Sequence, residues 1–71
     1  MSISAINTRN QIKGIVKHIQ VGDVVSEIEL DTPAGVVTSV ITTSSLQHLD
    51  LRVGYEAIAV VKATEVALAR P

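Results

Sequence analysis

The chain has 71 residues, no cysteine and a formal net charge of −1 at neutral pH. A length of this order supports one small domain with a marginal core, and the absence of cysteine excludes disulfide bonds and thiolate metal sites. The charge provides no positive field to hold a polyanion, and the single aromatic residue, Tyr55, is too little for stacking single-stranded nucleic acid.

The first half of the chain has the residue pattern of β-strands joined by turns. Residues 1–8 are interpreted as a short edge strand or an arm, and they lack the basic region and apolar run of a signal peptide. Alternation from Asn10 to Gln20 predicts a long first strand, with Gly14 as a bend or bulge. Residues 24–31 predict a second strand with Val24 pointing inward, and residues 32–35 (Thr-Pro-Ala-Gly) predict a hairpin turn.

The second half continues with a strand, a helix and two further strands. Residues 36–43 predict the third strand, and the apolar period then changes to that of a short helix over residues 45–49. Residues 56–62 and 66–69 predict the fourth and fifth strands. This element order is that of an OB-fold, so the sequence predicts an all-β, OB-like five-stranded barrel with one short helix between strands 3 and 4. An SH3-like barrel or an open β-sheet is the alternative fold.

No grouping of residues in the sequence is typical of catalysis. No Ser-His-Asp set has a recognisable local setting, and no glycine-rich phosphate loop is present. His18 and His48 are thirty positions apart and cannot alone form a structural metal site. We therefore predict that the chain is not an enzyme, that it has no catalytic residues and that it holds no metal through direct ligands.

Three clusters of hydrogen-bond donors without carboxylates lie at predicted strand ends or strand-to-helix junctions. They are residues 7–11, the hydroxyl residues of 38–45, and residues 62–64. Thr43 or Ser44 is expected to cap the helix, where backbone N–H groups lack partners. If folding brings the clusters together, they form a pocket suited to a small oxyanion. The alternative is that these hydroxyls are ordinary caps and surface groups and that the lysine at position 62 is a surface residue.

Five segments carry a resemblance to a known family. They are residues 8–14 (TRNQIKG), 25–28 (VSEI), 38–42 (TSVIT), 51–54 (LRVG) and 60–66 (VVKATEV). In this order, and in a chain of this length, they resemble the molbindins, the small Mop-type proteins that bind molybdate and tungstate. The same module occurs in molybdate-responsive regulators and in molybdate transporter ATPases. The resemblance covers nearly the whole chain and implies one Mop domain over residues 1–71.

The resemblance also implies an assembly and a site. It implies a homohexamer, a trimer of dimers, that binds molybdate or tungstate as an oxyanion between subunits. The ligand contacts that it implies are Asn7, Thr8, Arg9, Thr42, Ser45, Lys62 and the backbone N–H of Ala63. The Ser-Ala that usually precedes the arginine is replaced here by Asn7-Thr8. A second type of site on the three-fold axis belongs to the family, but it cannot be assigned to residues of this sequence.

The composition agrees with this interpretation. Apolar residues make up 46% of the chain, so we expect surface that one copy cannot bury to be covered by oligomerisation. A membrane span needs about 18 consecutive apolar residues, and no stretch of the sequence approaches this length. We expect a cytoplasmic protein that contacts neither membrane nor nucleic acid. The expected role is storage or homeostasis of the oxyanion, without an organic cofactor. The alternative is an OB-type oligomeric interaction module that binds no oxyanion.

Overall fold

The computed structural model describes residues 8–71, which form one curled antiparallel sheet and one short α-helix. In chain order the elements are β1 (Asn10–Gln20), β2 (Val25–Thr32), β3 (Gly35–Thr42), α1 (Thr43–Leu49), β4 (Glu56–Val61) and a 3-10 turn (Ala63–Glu65). The strand order in the sheet is β3-β2-β1-β4. The all-β prediction is confirmed, as are the bounds of the first strand. Among the described residues no helix combines the length and the apolar character needed to span a bilayer.

β1 is a central strand that pairs with β2 on one side and with β4 on the other. The prediction of a bulge at Gly14 is wrong, because the register with β2 shifts between Val16 and His18 instead. The shift turns the strand so that Ile19 packs against the core while His18 is exposed. Gly14 is needed for another reason, since a Cβ at this position would lie 2.6 Å from the carbonyl oxygen of Asp31.

β2 and β3 form a hairpin whose turn has the predicted chemistry. Gly35 has a φ of +106°, a conformation that glycine adopts without the strain that a side chain would add. The inward residues of β2 are, as predicted, Ser26, Ile28 and Leu30. Val24, which was also predicted to point inward, is 74% exposed, because the strand begins only at Val25.

The apolar core is small for the number of apolar residues in the chain. Its buried side chains are Val16, Ile28, Leu30 and Leu46. Leu46 comes from α1, which packs over β2 and β3 and closes one end of the sheet. Twelve large apolar residues of the described chain are exposed by contrast. A single copy therefore leaves extensive apolar surface in contact with water.

The fifth strand predicted over residues 66–69 is absent from the described chain. The backbone at Val66 is extended, with φ −94° and ψ 115°, but no strand of the sheet pairs with it. Leu68 is 94% exposed. A short apolar run without alternation does not specify which face is buried, so it fixes no register against a neighbour. The sheet thus has four strands in one copy, with β3 and β4 at its edges.

We expect Leu46→Ala to lower the free energy of unfolding by about 2–5 kcal/mol, because it removes one of few buried side chains and leaves a cavity. Leu49→Ala is the matched control, since Leu49 lies on the same helix and is 61% exposed. We expect its effect to stay below about 0.5 kcal/mol. Urea unfolding at one fixed protein concentration measures both changes, and equal effects would contradict the core described here.

Candidate functional site

The start of β1 and the end of β4 lie side by side and together border an open cavity. Asn10 pairs with Val61 across the ladder, although 51 positions separate them in the sequence. The segments that flank this pair are therefore brought next to each other. The cavity has a volume of about 300 Å³ and is lined by Thr8, Arg9, Lys62, Ala63 and Thr64. We refer to it as the Lys62 cavity, and four of its five lining residues are predicted ligand contacts.

Four of the five side chains that line the Lys62 cavity carry hydrogen-bond donors, and two of these four are cationic. Arg9 and Lys62 are both exposed, and neither forms an ion pair with a carboxylate of residues 8–71. None of the five lining residues is acidic. The hydroxyl groups of Thr8 and Thr64 add two further donors that have no partner within the described chain.

The 3-10 turn after β4 has unpartnered backbone donors at two residues that line the same cavity. The Lys62 carbonyl closes the turn by accepting from the Glu65 N–H at 2.9 Å. The first N–H groups of such a turn have no carbonyl partner within it. No described residue accepts from the N–H of Ala63 or of Thr64. The backbone contact predicted at Ala63 is therefore a group that can donate to a ligand.

The other predicted contacts, Thr42 and Ser45, lie at the junction of β3 and α1. Thr42 is the N-cap of α1, one residue before Thr43 and two before Ser44, the two predicted caps. Its Oγ1 accepts from the Ser45 N–H at 3.1 Å and donates to the Ser45 Oγ at 2.7 Å. The proton of Thr42 is thereby committed, whereas the hydroxyl proton of Ser45 can be donated outward. Neither residue lines the Lys62 cavity.

Within one copy the predicted site is thus divided into two parts. Four of the predicted contacts share one cavity, namely Thr8, Arg9, Lys62 and Ala63. Ser45 instead lines a separate open cavity, which has a volume of about 390 Å³ and is otherwise lined by residues of the same helix. The remaining predicted contact, Asn7, lies outside the described residues.

A buried ring of hydrogen bonds holds the β3–α1 junction in place. The Thr43 Oγ1 donates to the Gly22 carbonyl at 2.7 Å, and the Gly22 N–H donates to the Ser26 Oγ at 3.3 Å. Because the Thr43 proton is used, Ser26 must donate across the 2.7 Å that separates the two hydroxyls. Ser26 and Thr43 are only 2% and 8% exposed. The ring therefore fixes the backbone between the two candidate contacts of this junction.

No prediction from the sequence included this ring. A serine at an inward position of β2 was the available signal, because a buried hydroxyl requires a partner. The partner could not be found from the sequence, since the ring joins residues 22, 26 and 43 through the tertiary fold.

The donor set suits a small anion better than a metal cation. Metal ions are bound by histidine, cysteine and carboxylate groups, and residues 8–71 contain no cluster of three or more such groups. Oxyanions are bound by guanidinium, ammonium, hydroxyl and backbone N–H groups, which are the groups that line the Lys62 cavity.

Comparison with known proteins gives matches over nearly the whole chain. Residues 6–68 match the TOBE domain model. Molybdenum-pterin-binding protein 2 from Clostridium pasteurianum is 42% identical over 69 residues, which cover 96% of this chain and 97% of that protein.

Two solved structures share the fold and a similar level of identity. A molybdate-binding protein from Sporomusa ovata has a TM-score of 0.89 and 35% identity, covering 93% of this chain and 98% of the other. The cytoplasmic molybdate-binding protein ModG, with molybdate bound, has a TM-score of 0.78 and 37% identity. That match covers 83% of this chain and 43% of ModG.

We expect Thr43→Val to lower the free energy of unfolding by about 1–3 kcal/mol, because the buried Gly22 carbonyl and Ser26 hydroxyl both lose a partner. Thr38→Val is the matched control, since Thr38 is exposed on β3 and its hydroxyl bonds to no described residue. We expect that variant to stay within about 0.5 kcal/mol of the parent. Urea unfolding distinguishes them, and equal stability of the two variants would show that the ring does not hold the junction.

Proposed function

The chain belongs to the molbindin (Mop) family of TOBE domains, and from this premise we propose that residues 1–71 form one module that binds molybdate and tungstate. The observation that carries the proposal is the Lys62 cavity, with two cations, two hydroxyls and unpartnered backbone N–H groups but no acid. The role is storage or homeostasis by binding, without catalysis. The compartment is the cytoplasm, which is the location named for ModG.

The ligand in this proposal is the free oxyanion, without an organic cofactor. The names of the curated relatives include a pterin, which is a planar aromatic ring system. Sites for such rings are lined mainly by apolar and aromatic side chains. Tyr55, the single aromatic residue, does not line the Lys62 cavity, and that cavity is dominated by donors. These features support a small tetrahedral dianion.

The energetics of the site follow from its charges. Hydrogen bonds from Lys62 and Arg9 to a dianion are charge-assisted, and each contributes about 1.5–3 kcal/mol. Such bonds offset the loss of hydration that the dianion undergoes on binding. Sulfate has the same charge and shape as molybdate, so rejecting it depends on the size of the cage. Short hydroxyl and backbone donors on fixed elements give such a cage a defined size.

We also propose that a second copy of the chain completes the cage. The β3–α1 junction, with Ser45 as its open donor, would come from one copy and the Lys62 cavity from another. Asn7, which precedes the first lining residue, would contribute to the same site. The division of the predicted contacts within one copy supports this arrangement. The exposed apolar surface supports a homo-oligomer, for which the family expectation is a hexamer built as a trimer of dimers.

We expect titration calorimetry to detect binding of both molybdate and tungstate by the parent protein. Lys62→Ala should weaken it about 10- to 150-fold, the effect of losing about 1.5–3 kcal/mol. Lys17→Ala is the matched control, because it removes the same charge from an exposed lysine of β1 that does not line the Lys62 cavity. The Lys17 Nζ lies 3.9 Å from the Asp31 Oδ1 on β2. We expect a change of less than about twofold for that variant, since a distant exposed charge is screened.

The alternative function gives a different result in the same titration. An interaction module without oxyanion binding would give no heat with molybdate or tungstate, although it would be folded and oligomeric. That outcome would overturn the proposed function.

Mixing two variants tests whether the site is shared between copies. Lys62→Ala and Ser45→Ala each damage every site when present alone. In a site built from two copies, random mixing by refolding leaves about a quarter of the sites with both native residues. We therefore expect tight molybdate binding to reappear at about that fraction in the mixed assembly. If Lys62 and Ser45 of one copy served the same site, mixing would restore no tight binding.

A further inference from the structure

The turn between β1 and β2, residues 21–24, holds the first residue of α1 at two of its carbonyls. The Thr43 N–H donates to the Val24 carbonyl at 2.8 Å, and the Thr43 Oγ1 donates to the Gly22 carbonyl at 2.7 Å. Thr43 directly follows Thr42, the last residue of β3. The turn therefore fixes the chain at the point where it leaves the sheet and enters the helix.

The turn acts on the Ser45 hydroxyl through Thr42. The Thr43 N–H belongs to the peptide unit that joins Thr42 to Thr43, so its bond to the Val24 carbonyl orients that peptide. The Thr42 Oγ1 donates to the Ser45 Oγ at 2.7 Å and accepts from the Ser45 N–H at 3.1 Å. Because the Ser45 Oγ accepts on the side of Thr42, its own proton is directed away from Thr42.

None of residues 21–24 lines the Lys62 cavity or the cavity at Ser45. We propose that this turn nevertheless sets the anion affinity of the site, because Gly22, Ser26 and Thr43 position the Ser45 hydroxyl that binds the anion. The inference rests on the proposed function, in which Ser45 is a contact, and it adds three positioning residues that line neither cavity.

Burial and close packing make this positioning rigid. Ser26 and Thr43 are buried, so water does not replace a lost partner at either hydroxyl. At Gly22 a Cβ would lie 2.3 Å from the Val25 carbonyl oxygen, so a larger residue would have to move the turn. A donor that is already held in place loses less conformational freedom on binding than one that rotates, and positioning therefore contributes to affinity.

Thr43→Val tests the proposal, because valine has a similar shape but no hydroxyl, so the side-chain bonds to Gly22 and Ser26 are both lost. Thr43→Ser is the conservative variant, which keeps the hydroxyl. Leu30→Val is the control for stability, since Leu30 lies in the core and pairs on β3 with Val37 rather than with the junction. Calorimetry with molybdate measures each affinity, at a temperature where circular dichroism and the assembly mass show the variant to be folded.

A second pair of variants perturbs the turn itself. Gly22→Ala forces the turn to move, because of the close approach of the Val25 carbonyl. Asp23→Ala is the matched control in the same turn, since Asp23 is exposed and its side chain bonds to no described residue.

We expect Thr43→Val and Gly22→Ala each to weaken molybdate binding about tenfold, the effect of losing one hydrogen bond to the anion. Thr43→Ser, Leu30→Val and Asp23→Ala should each stay within about twofold of the parent. An unchanged affinity of Thr43→Val or of Gly22→Ala would overturn the inference, as would a loss in Leu30→Val equal to that in Thr43→Val.

A double-mutant cycle with Ser45→Ala separates positioning from a general loss of structure. In the Ser45→Ala background, Thr43→Val should cost no further affinity, because the donor that Thr43 positions is already absent. An equal loss in both backgrounds, or an unchanged affinity of Ser45→Ala alone, would overturn the inference while molybdate binding by the parent stands. A parent protein that binds no molybdate would overturn the proposed function as well.

Discussion

The pairing of β1 with β4 determines where the candidate site can form. Asn10 lies opposite Val61, so the residues that precede β1 and those that follow β4 are adjacent. The register is fixed by the core, because a slip of one residue would turn the inward side chains of a strand toward water. Val16 on β1 is 1% exposed, which makes such a slip costly. The same apolar contacts that hold the sheet therefore hold Arg9 beside Lys62.

Features with a local cause were predictable from the sequence. Alternation located the first strand to the residue, and the Pro-Ala-Gly sequence after Thr32 located the hairpin, because proline and glycine restrict or permit particular backbone angles. The adjacency of Arg9 and Lys62 was implied by family resemblance. Composition and periodicity alone placed both residues at strand ends, but they did not indicate that these two ends meet.

Features that depend on partners elsewhere in the fold were not predictable. The bulge near His18 has no sequence marker, since it depends on how β1 follows the twist of β2. The helix cap was predicted one or two residues late, at Thr43 or Ser44, because four consecutive hydroxyl residues from position 42 can all cap and only backbone geometry selects Thr42. The prediction of a fifth strand was wrong because residues 66–69 pair with no strand of the same copy. The two strand errors lie where a pairing partner, rather than the segment itself, decides the structure.

Two weaknesses of a single copy have a common physical solution in the proposed assembly. The first weakness is that Arg9 and Lys62 are exposed. Two unit charges 4 Å apart interact with an energy of only about 1 kcal/mol in water, but of about 4 kcal/mol at an effective dielectric constant of 20. Covering the cavity with a second copy would exclude water and strengthen each contact, and it would also bury apolar surface that the small core leaves exposed. An anion that binds only the assembled form must then stabilise the assembly by mass action. Anion binding and subunit association are on this view one equilibrium, in which the dianion joins the cationic cavity of one copy to the hydroxyl-bearing junction of another.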